Sequence, residues 1–263
     1  MALSTLSIAQ IKELVSSEEV NQELLLAMSA DQRAGVRELA LRLKRANAVR
    51  EKEIKRLKKL FVYEDELRAC GHHLVAGVDE VGRGPLAGPV AAAAVILPGE
   101  VWLPGLNDSK KLSPAKREVL AGLIKETALD FAIGEASPEE IYRENIHHAS
   151  LAAMRRSVLK LKVKPAYVLV DGFCIEGLAL PQKPLVGGDG LSASIAAASI
   201  VAKVYRDQLM DAYHETYPEY GFNKHKGYAT PDHLRALARY GPCPIHRAGY
   251  RPVKAFAGAR QSS

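Results

Sequence analysis

Cysteine is scarce in this chain: three in 263 residues, Cys70, Cys174 and Cys243, far apart, odd in number and with no C-x-x-C pair. That argues against a disulfide framework and a zinc knuckle, and each thiol reads as a small buried hydrophobe in a reducing compartment. Long hydrophobic runs are missing too. The longest, over residues 90–97, is half alanine and falls far short of the roughly 20 residues that span a bilayer. No basic-then-apolar stretch with a cleavage site opens the chain, so a cytoplasmic location is expected. Neither an RNP-type aromatic strand nor a KH loop is present, which argues against a generic RNA-binding module. No internal repeat interrupts the sequence, and the only compositional bias is toward alanine.

What remains is the composition of an ordinary globular protein, 48% hydrophobic and 25% charged. The length suits one sizeable α/β domain with an appendage. Lysine and arginine exceed the acids by 36 to 30, a formal charge of +6, with a pI near 9.1. Such a balance is compatible with a polyanionic partner, because basic surfaces attract phosphate and release counterions, although many soluble enzymes share it.

The texture changes near residue 70, which divides the chain into a helical extension, 1–70, and an α/β domain, 71–263. The first part contains no proline and no β-branched runs. Ser16 with Glu19, and Ser29 with Gln32, fit capping boxes, predicting helices over residues 8–15, 18–28 and 31–60. The last carries Arg42, Lys44, Arg45, Arg50, Lys52, Lys55, Arg56, Lys58 and Lys59 among leucines. These read as a solvated helix face, with nucleic-acid contact as the alternative. Beyond residue 73, strands are expected at 74–80, 89–97, 130–136 and 166–170. Helices are expected from Ser113-Pro114 to about 128, from Ser137-Pro138 to 161, over 192–217 and over 231–240. Residues 221–230 read as a loop, and 256–263 as frayed. Two hairpin-like strands followed by β/α units imply a mixed sheet with helices on both faces.

Function has to come from a site. Acidic residues end three apolar runs: Asp79-Glu80, Asp171 and Asp189. Carboxylates are rarely buried unless paired or bound to a cation, so several at strand ends suggest one shared site for a hard divalent ion. Taken singly, each reads as a polar residue beside a turn. Neighbouring strand residues point to opposite faces, so Asp79 and Glu80 can share an ion only if the strand ends or twists there.

The run Gly77-Val78-Asp79-Glu80-Val81-Gly82-Arg83-Gly84-Pro85-Leu86-Ala87-Gly88-Pro89-Val90 strongly resembles ribonuclease HII. So do Asp108-Ser109-Lys110-Lys111-Leu112-Ser113, Val170-Asp171-Gly172 and Gly188-Asp189. The likeness continues in Ala197-Ala198-Ser199-Ile200-Val201-Ala202-Lys203, Arg206-Asp207, His225-Lys226-Gly227-Tyr228-Ala229-Thr230 and His246-Arg247. These motifs fall in order over roughly residues 74–253. The resemblance implies an α/β, RNase H-like mixed five-stranded sheet flanked by helices, with an N-terminal helical extension and a C-terminal helical segment. It implies Asp79, Glu80, Asp171 and Asp189 as catalytic, metal-binding carboxylates using Mn2+ or Mg2+. It further implies hydrolysis on the 5′ side of a ribonucleotide, in RNA–DNA hybrids or at single ribonucleotides in duplex DNA, leaving a 3′-hydroxyl and a 5′-phosphate. Ribonucleotide excision and RNA primer removal would be its roles.

Within that resemblance, Gly82, Arg83 and Gly84 form a cradle for the sugar 2′-hydroxyl, which both donates and accepts and distinguishes RNA from DNA. Read without it, the segment is a tight turn with a solvated or phosphate-clamping Arg83. It is not a dinucleotide fingerprint, since Gly88 is off-spacing and Pro89 breaks the helix that would follow. Tyr228 matches a tyrosine that stacks on the deoxyribose 3′ of the ribonucleotide, and Lys110 matches a phosphate contact. Lys203 and Arg206 either flank the site or pair with Asp207 on their own helix. His72-His73 and His147-His148 lack metal-ligand spacing, and His225, His233 and His246 are given no chemical step. Two departures stand out: Gly187 replaces a basic residue common in relatives, and the first 70 residues lie outside the catalytic likeness.

Ribonuclease HIII, which prefers longer hybrid tracts, is the nearest rival, but it typically has threonine at position 83 and a β-rich N-terminal domain. A non-catalytic hybrid-binding protein is a second rival, opposed by the intact carboxylate set, which unused would repel phosphate. A monomer without membrane contact is expected. No clamp-binding box is recognisable at the C-terminus, which leaves protein partners open.

Overall fold

A computed structural model describes residues 3–17 and 21–257 of the chain, which fall into two compact units, 1–56 and 57–263. The first holds α1 (Ile8–Ser17), α2 (Gln22–Ser29) and most of α3 (Ala34–Leu60) around Ile11, Leu25, Met28, Val36 and Ala40. Asn21 caps α2, accepting the Leu24 N–H at 2.8 Å. The box expected of Ser29 and Gln32 does not form. Ser29 belongs to the last turn of α2 and donates its hydroxyl to Leu25 O at 2.6 Å. Glu19, and with it the other expected box, lies outside the described residues. Arg33 joins the segments, donating to Leu3 O at 3.0 Å and Leu6 O at 2.5 Å while pairing with Asp31 at 2.7 Å. Most of the α3 cations face solvent, and Arg42 and Arg56 pair with Glu38 and Glu53 along the helix.

The second unit follows with α4 (Val62–Ala69), β1 (Val75–Val81), β2 (Val90–Ile96), α5 (Pro114–Thr127), β3 (Asp130–Ala136) and α6 (Pro138–Leu159). Then come β4 (Tyr167–Asp171), β5 (Gln182–Leu185), α7 (Ala193–Thr216), α8 (Phe222–His225), α9 (Pro231–Tyr240) and α10 (Arg251–Ala257). One five-stranded sheet runs in the order β3-β2-β1-β4-β5. The β1–β2 and β2–β3 pairs are antiparallel, and β1–β4 and β4–β5 are parallel. Three segments depart from the expectations. Pro184, in a segment where no strand is expected, sits in the edge strand β5, where a proline removes no inner ladder bond. Of the stretch read as frayed, 256–263, residues 256 and 257 end α10 and the rest lie outside the described residues. The loop expected at 221–230 also includes the single turn of α8.

Alternation along β2 assigns its side chains: Ala93 and Val95 pack with α5 and α7, and Ala92 and Ala94 with α6. Small residues let both helices approach closely. A Cβ on Gly77 would lie 2.0 Å from the Ser194 carbonyl carbon, so α7 begins directly on β1. Helix α6 kinks at Asn145 (φ 67°), whose Oδ1 accepts the His147 and His148 N–H groups and restarts the helix. The thiols are not buried as expected: Cys70 and Cys174 are exposed and Cys243 half-buried. With no disulfide and little sulfur in the core, aliphatic packing carries the fold.

A third cluster lies among α7, α8, α9 and the C-terminal segment and contains a histidine chain. His233 Nδ1 donates to Tyr228 O at 2.8 Å, which leaves its Nε2 to accept from His246 Nε2 at 3.0 Å. His246 Nδ1 in turn accepts the Cys243 N–H at 2.9 Å. Burial holds both imidazoles neutral and brings each pKa down to about 4. The unfolded chain therefore takes up more protons here between the ordinary value of 6.5 and about 4, and the cluster withdraws stability as pH falls through that window.

Two outcomes follow from this packing. Gly77→Ala should cost about 3 kcal/mol in urea unfolding, because the new methyl meets helix backbone that has nowhere to relax. In thermal melts from pH 7 to 4, His246→Gln should show a shallower fall in Tm than the unmodified chain.

Candidate active site

The site grows out of strand register. Val78 pairs with Val170 in the parallel β1–β4 ladder, so the next residues, Asp79 and Asp171, emerge side by side at the carboxyl ends of two neighbouring strands. Ligands commonly gather at that end of an α/β sheet. β1 does not end at Glu80; it remains paired through Val81 with Ala91. The carboxylates meet nonetheless. Asp79 bends along the strand to accept the Glu80 N–H at 2.7 Å, and the longer Glu80 side chain reaches round. One oxygen each from Asp79, Glu80 and Asp171 lies within 4.8 Å of the others, a constellation of metal-ligand type.

Asp189 stands at the margin of this trio. It occupies a single 3-10 turn, Gly188–Gly190, that leads into α7. Gly188 N–H donates to Asp171 Oδ1 at 2.7 Å, tying the turn to β4. The Asp189 carboxylate is engaged by Lys110 Nζ at 3.2 Å. Lys110 follows Asp108, which caps its short turn, and the turn is fastened to α7 by a 2.9 Å hydrogen bond between the Ser109 and Ser199 hydroxyls.

The electrostatics are those of a site built to receive positive charge. Burial, then the charges of Glu80 and Asp171, pushes the Asp79 carboxyl well above its ordinary range. Glu80 and Asp171 are raised too, by burial first, with Arg83 and the Gly188 N–H acting against it respectively. Burial opposes the Lys110 ammonium, yet Asp189 leaves its pKa raised. A donor set made only of oxygens, buried and self-repelling, fits a hard divalent cation.

The glycine-rich turn begins one residue after β1. Arg83 and Gly84 are exposed, and Arg83 reaches Glu80 Oε1 at 3.3 Å. Gly84 lies beside Tyr228: a Cβ there would sit 3.5 Å from the ring, which is 44% exposed. The turn thus runs from the carboxylates to the tyrosine. Gly82 serves a different purpose from the close approach to a ligand expected of it. It is buried at φ +92°, and a Cβ would fall 2.2 Å from Arg206 Nε.

Sequence reasoning missed the supports. Arg206 neither flanks the site nor pairs with Asp207; it is fully buried, and Lys203 takes Asp207 at 2.6 Å. Glu64 of α4, also fully buried, accepts Ser192 Oγ at 2.6 Å and the Ser194 N–H at 2.7 Å, holding the start of α7 just after Asp189. One glutamate within the acidic run Glu64-Asp65-Glu66 carries no mark of such a partner 128 residues away. His147 and Phe173 line a small cavity with Glu80, Arg83 and Asp171.

The ribonuclease HII family model matches residues 76–253, and that of the ribonuclease HII N-terminal domain matches residues 7–68. A ribonuclease HII of Pelotomaculum thermopropionicum is 61% identical over 262 residues, covering 98% of both chains. One from Desulfitobacterium hafniense is 48% identical over 252 residues, covering 96% of both. Among solved structures, the RNase HII of Archaeoglobus fulgidus, in a complex with PCNA, is 28% identical with a TM-score of 0.59, over 68% of this chain and 95% of that one. The ribonuclease H2 of Pyrococcus horikoshii shares the fold, with a TM-score of 0.62 at 24% identity, over 72% of this chain and all of that one. The chain belongs to the ribonuclease HII family, divalent-metal-dependent endonucleases that act on RNA–DNA hybrids.

Proposed function

We propose that this enzyme cuts on the 5′ side of a ribonucleotide, including a single one embedded in duplex DNA, and leaves a 3′-hydroxyl and a 5′-phosphate. The observation that carries the reading is the convergence of Asp79, Glu80 and Asp171 beside an exposed turn that ends at Tyr228. In this reading Asp79, Glu80, Asp171 and Asp189 hold Mg2+ or Mn2+. When bound, such ions supply charge to the attacking and leaving oxygens of an in-line phosphoryl displacement.

The chain's own residues do the rest. Arg83 and Gly84 offer backbone groups to the sugar 2′-hydroxyl, with Gly82 setting the bend. Tyr228 presents its exposed ring to the deoxyribose on the 3′ side. Lys110, whose side chain is mostly exposed, contacts a phosphate as well as Asp189. A preference for longer hybrid tracts would follow from a ribonuclease HIII-like site. Position 83 is arginine here, and the similar curated relatives at 48–61% identity are ribonucleases HII. The extension over residues 1–70 is assigned to duplex binding through the solvent-facing cations of α3, with residues 71–263 as the catalytic domain.

A labelled duplex with one ribonucleotide tests the main reading. Cleavage 5′ to it should require Mg2+ or Mn2+ and fall by about 10³-fold in Asp79→Asn, the equivalent of roughly 4 kcal/mol of transition-state stabilisation. Tight binding without cutting under either metal would refute catalysis. The same variant should be more stable than its parent when metal-free. Carboxyls whose pKa is raised by folding add a cost that grows as pH rises above the ordinary carboxylate range, so removing one charge at pH 7 should return about 1 kcal/mol. Replacing Lys44, Arg45, Arg50 and Lys52 with glutamine should weaken duplex binding and flatten its salt dependence; unchanged affinity would leave that face merely solvated.

A further inference from the structure

Two arginines lie under the substrate turn, and neither behaves as a buried charge normally does. Arg206 and Arg247 are both fully buried, and among the described residues no carboxylate pairs with either. Burial, and then Arg247, brings the Arg206 pKa down to about 10. Backbone carbonyls solvate the two guanidiniums instead. Arg206 donates to Pro89 O at 3.1 Å, Ala87 O at 3.0 Å and Lys226 O at 3.1 Å. Arg247 donates to Gly88 O at 2.9 Å, Arg83 O at 2.9 Å and Gly82 O at 2.6 Å. Tyr250, at the margin, donates its hydroxyl to Arg83 O as well, at 2.8 Å. Burying like charges side by side is costly, and a fold keeps such an arrangement where it over-determines a conformation.

The conformation concerned is that of the turn's amides. In a trans peptide, the C=O of one residue and the N–H of the next point in opposite directions. With Gly82 O drawn inward by Arg247, the Arg83 N–H faces outward. With Arg83 O drawn inward by Arg247 and Tyr250, the Gly84 N–H faces outward too. Both residues are exposed, and neither amide meets an acceptor among the described residues. Arg206 links this turn through Lys226 O to the loop that carries Tyr228.

We propose that Arg247 and Tyr250 are positioning residues that set selectivity for a ribonucleotide by holding the Arg83 and Gly84 amides toward the substrate sugar. This rests on the reading of the turn as a 2′-hydroxyl cradle. A rigid pair of outward donors meets a hydroxyl without reorganisation, whereas a turn free to flip a peptide would present a carbonyl or nothing. Selectivity thereby depends on a C-terminal segment remote in sequence from the carboxylates.

The test uses the full chain in an Asp79→Asn background with Mg2+, which prevents cutting. Anisotropy measures the affinity of two duplexes of one sequence, with and without a single ribonucleotide. The parent should prefer the ribonucleotide duplex by about tenfold, the equivalent of 1.4 kcal/mol. Tyr250→Phe should reduce that preference to about threefold and Arg247→Lys should abolish it, with affinity for the all-DNA duplex unchanged. Preference retained in both variants would overturn the proposal. Equal weakening toward both duplexes would overturn it too, because it would indicate general structural support. A parent without preference would instead refute the cradle reading itself. Should Arg247→Lys fail to fold, Tyr250→Phe, a half-buried site losing one hydroxyl, decides the matter alone.

Discussion

The parallel pairing of β1 with β4 is the constraint from which the rest of this structure follows. A ladder in which Val78 faces Val170 must deliver Asp79 and Asp171 to the same place, and with them a repulsion that no nearby side chain fully cancels. The surroundings are arranged to hold that repulsion. Gly188 N–H steadies Asp171, Lys110 faces Asp189, Arg83 reaches Glu80, and Glu64 fixes the start of α7 behind them. An apolar core that admits helices close to the sheet keeps these groups from drifting apart. The cost is then offset when a cation arrives.

A second charge cluster, of opposite sign, lies on the other side of the same short turn. Carboxylates converge at the end of β1 and guanidiniums gather beneath residues 82–89, and the two sets do not neutralise one another. The carboxylates face outward toward a ligand that brings its own charge. The arginines face inward, where peptide carbonyls take the place of water. The histidine chain under Tyr228 extends this scaffold with neutral hydrogen bonds, each ring's tautomer fixed by its neighbour. Beneath Tyr228 the apolar packing among α7, α8 and α9 is therefore threaded by polar groups that hydrogen-bond one another.

Much of the fold was legible because its signals are local. Ser113 and Ser137 before proline announced α5 and α6, and alternating or continuous apolar runs marked β1 to β4. What was misread depended on distant chain. β5 is a strand only because β4 offers a ladder to a short proline-containing segment. The kink at Asn145 comes from a backbone of positive φ and side-chain caps on His147 and His148, which a continuous helical reading passes over. The cysteines read as core by type, but their positions fell on loops and a helix end that the core does not need.

The candidate site divides in the same way. Sequence alone, through ordered motifs, nominated the residues proposed to carry chemistry: the four acids, the Gly-Arg-Gly turn, Lys110 and Tyr228. It also determined the family, since residue identities in order survive without coordinates. Only the tertiary structure decided that Asp79 and Glu80 converge although the strand continues, that Asp189 leans on Lys110, and that Gly82 is glycine to make room for Arg206. It alone showed that Arg206 and Arg247 are scaffold rather than surface. The physical reason is that motif chemistry resides in a side chain and can be read from its type. Burial, register and hydrogen-bond partners belong to pairs of residues far apart in the chain, and those pairs exist only once the sheet has closed around them.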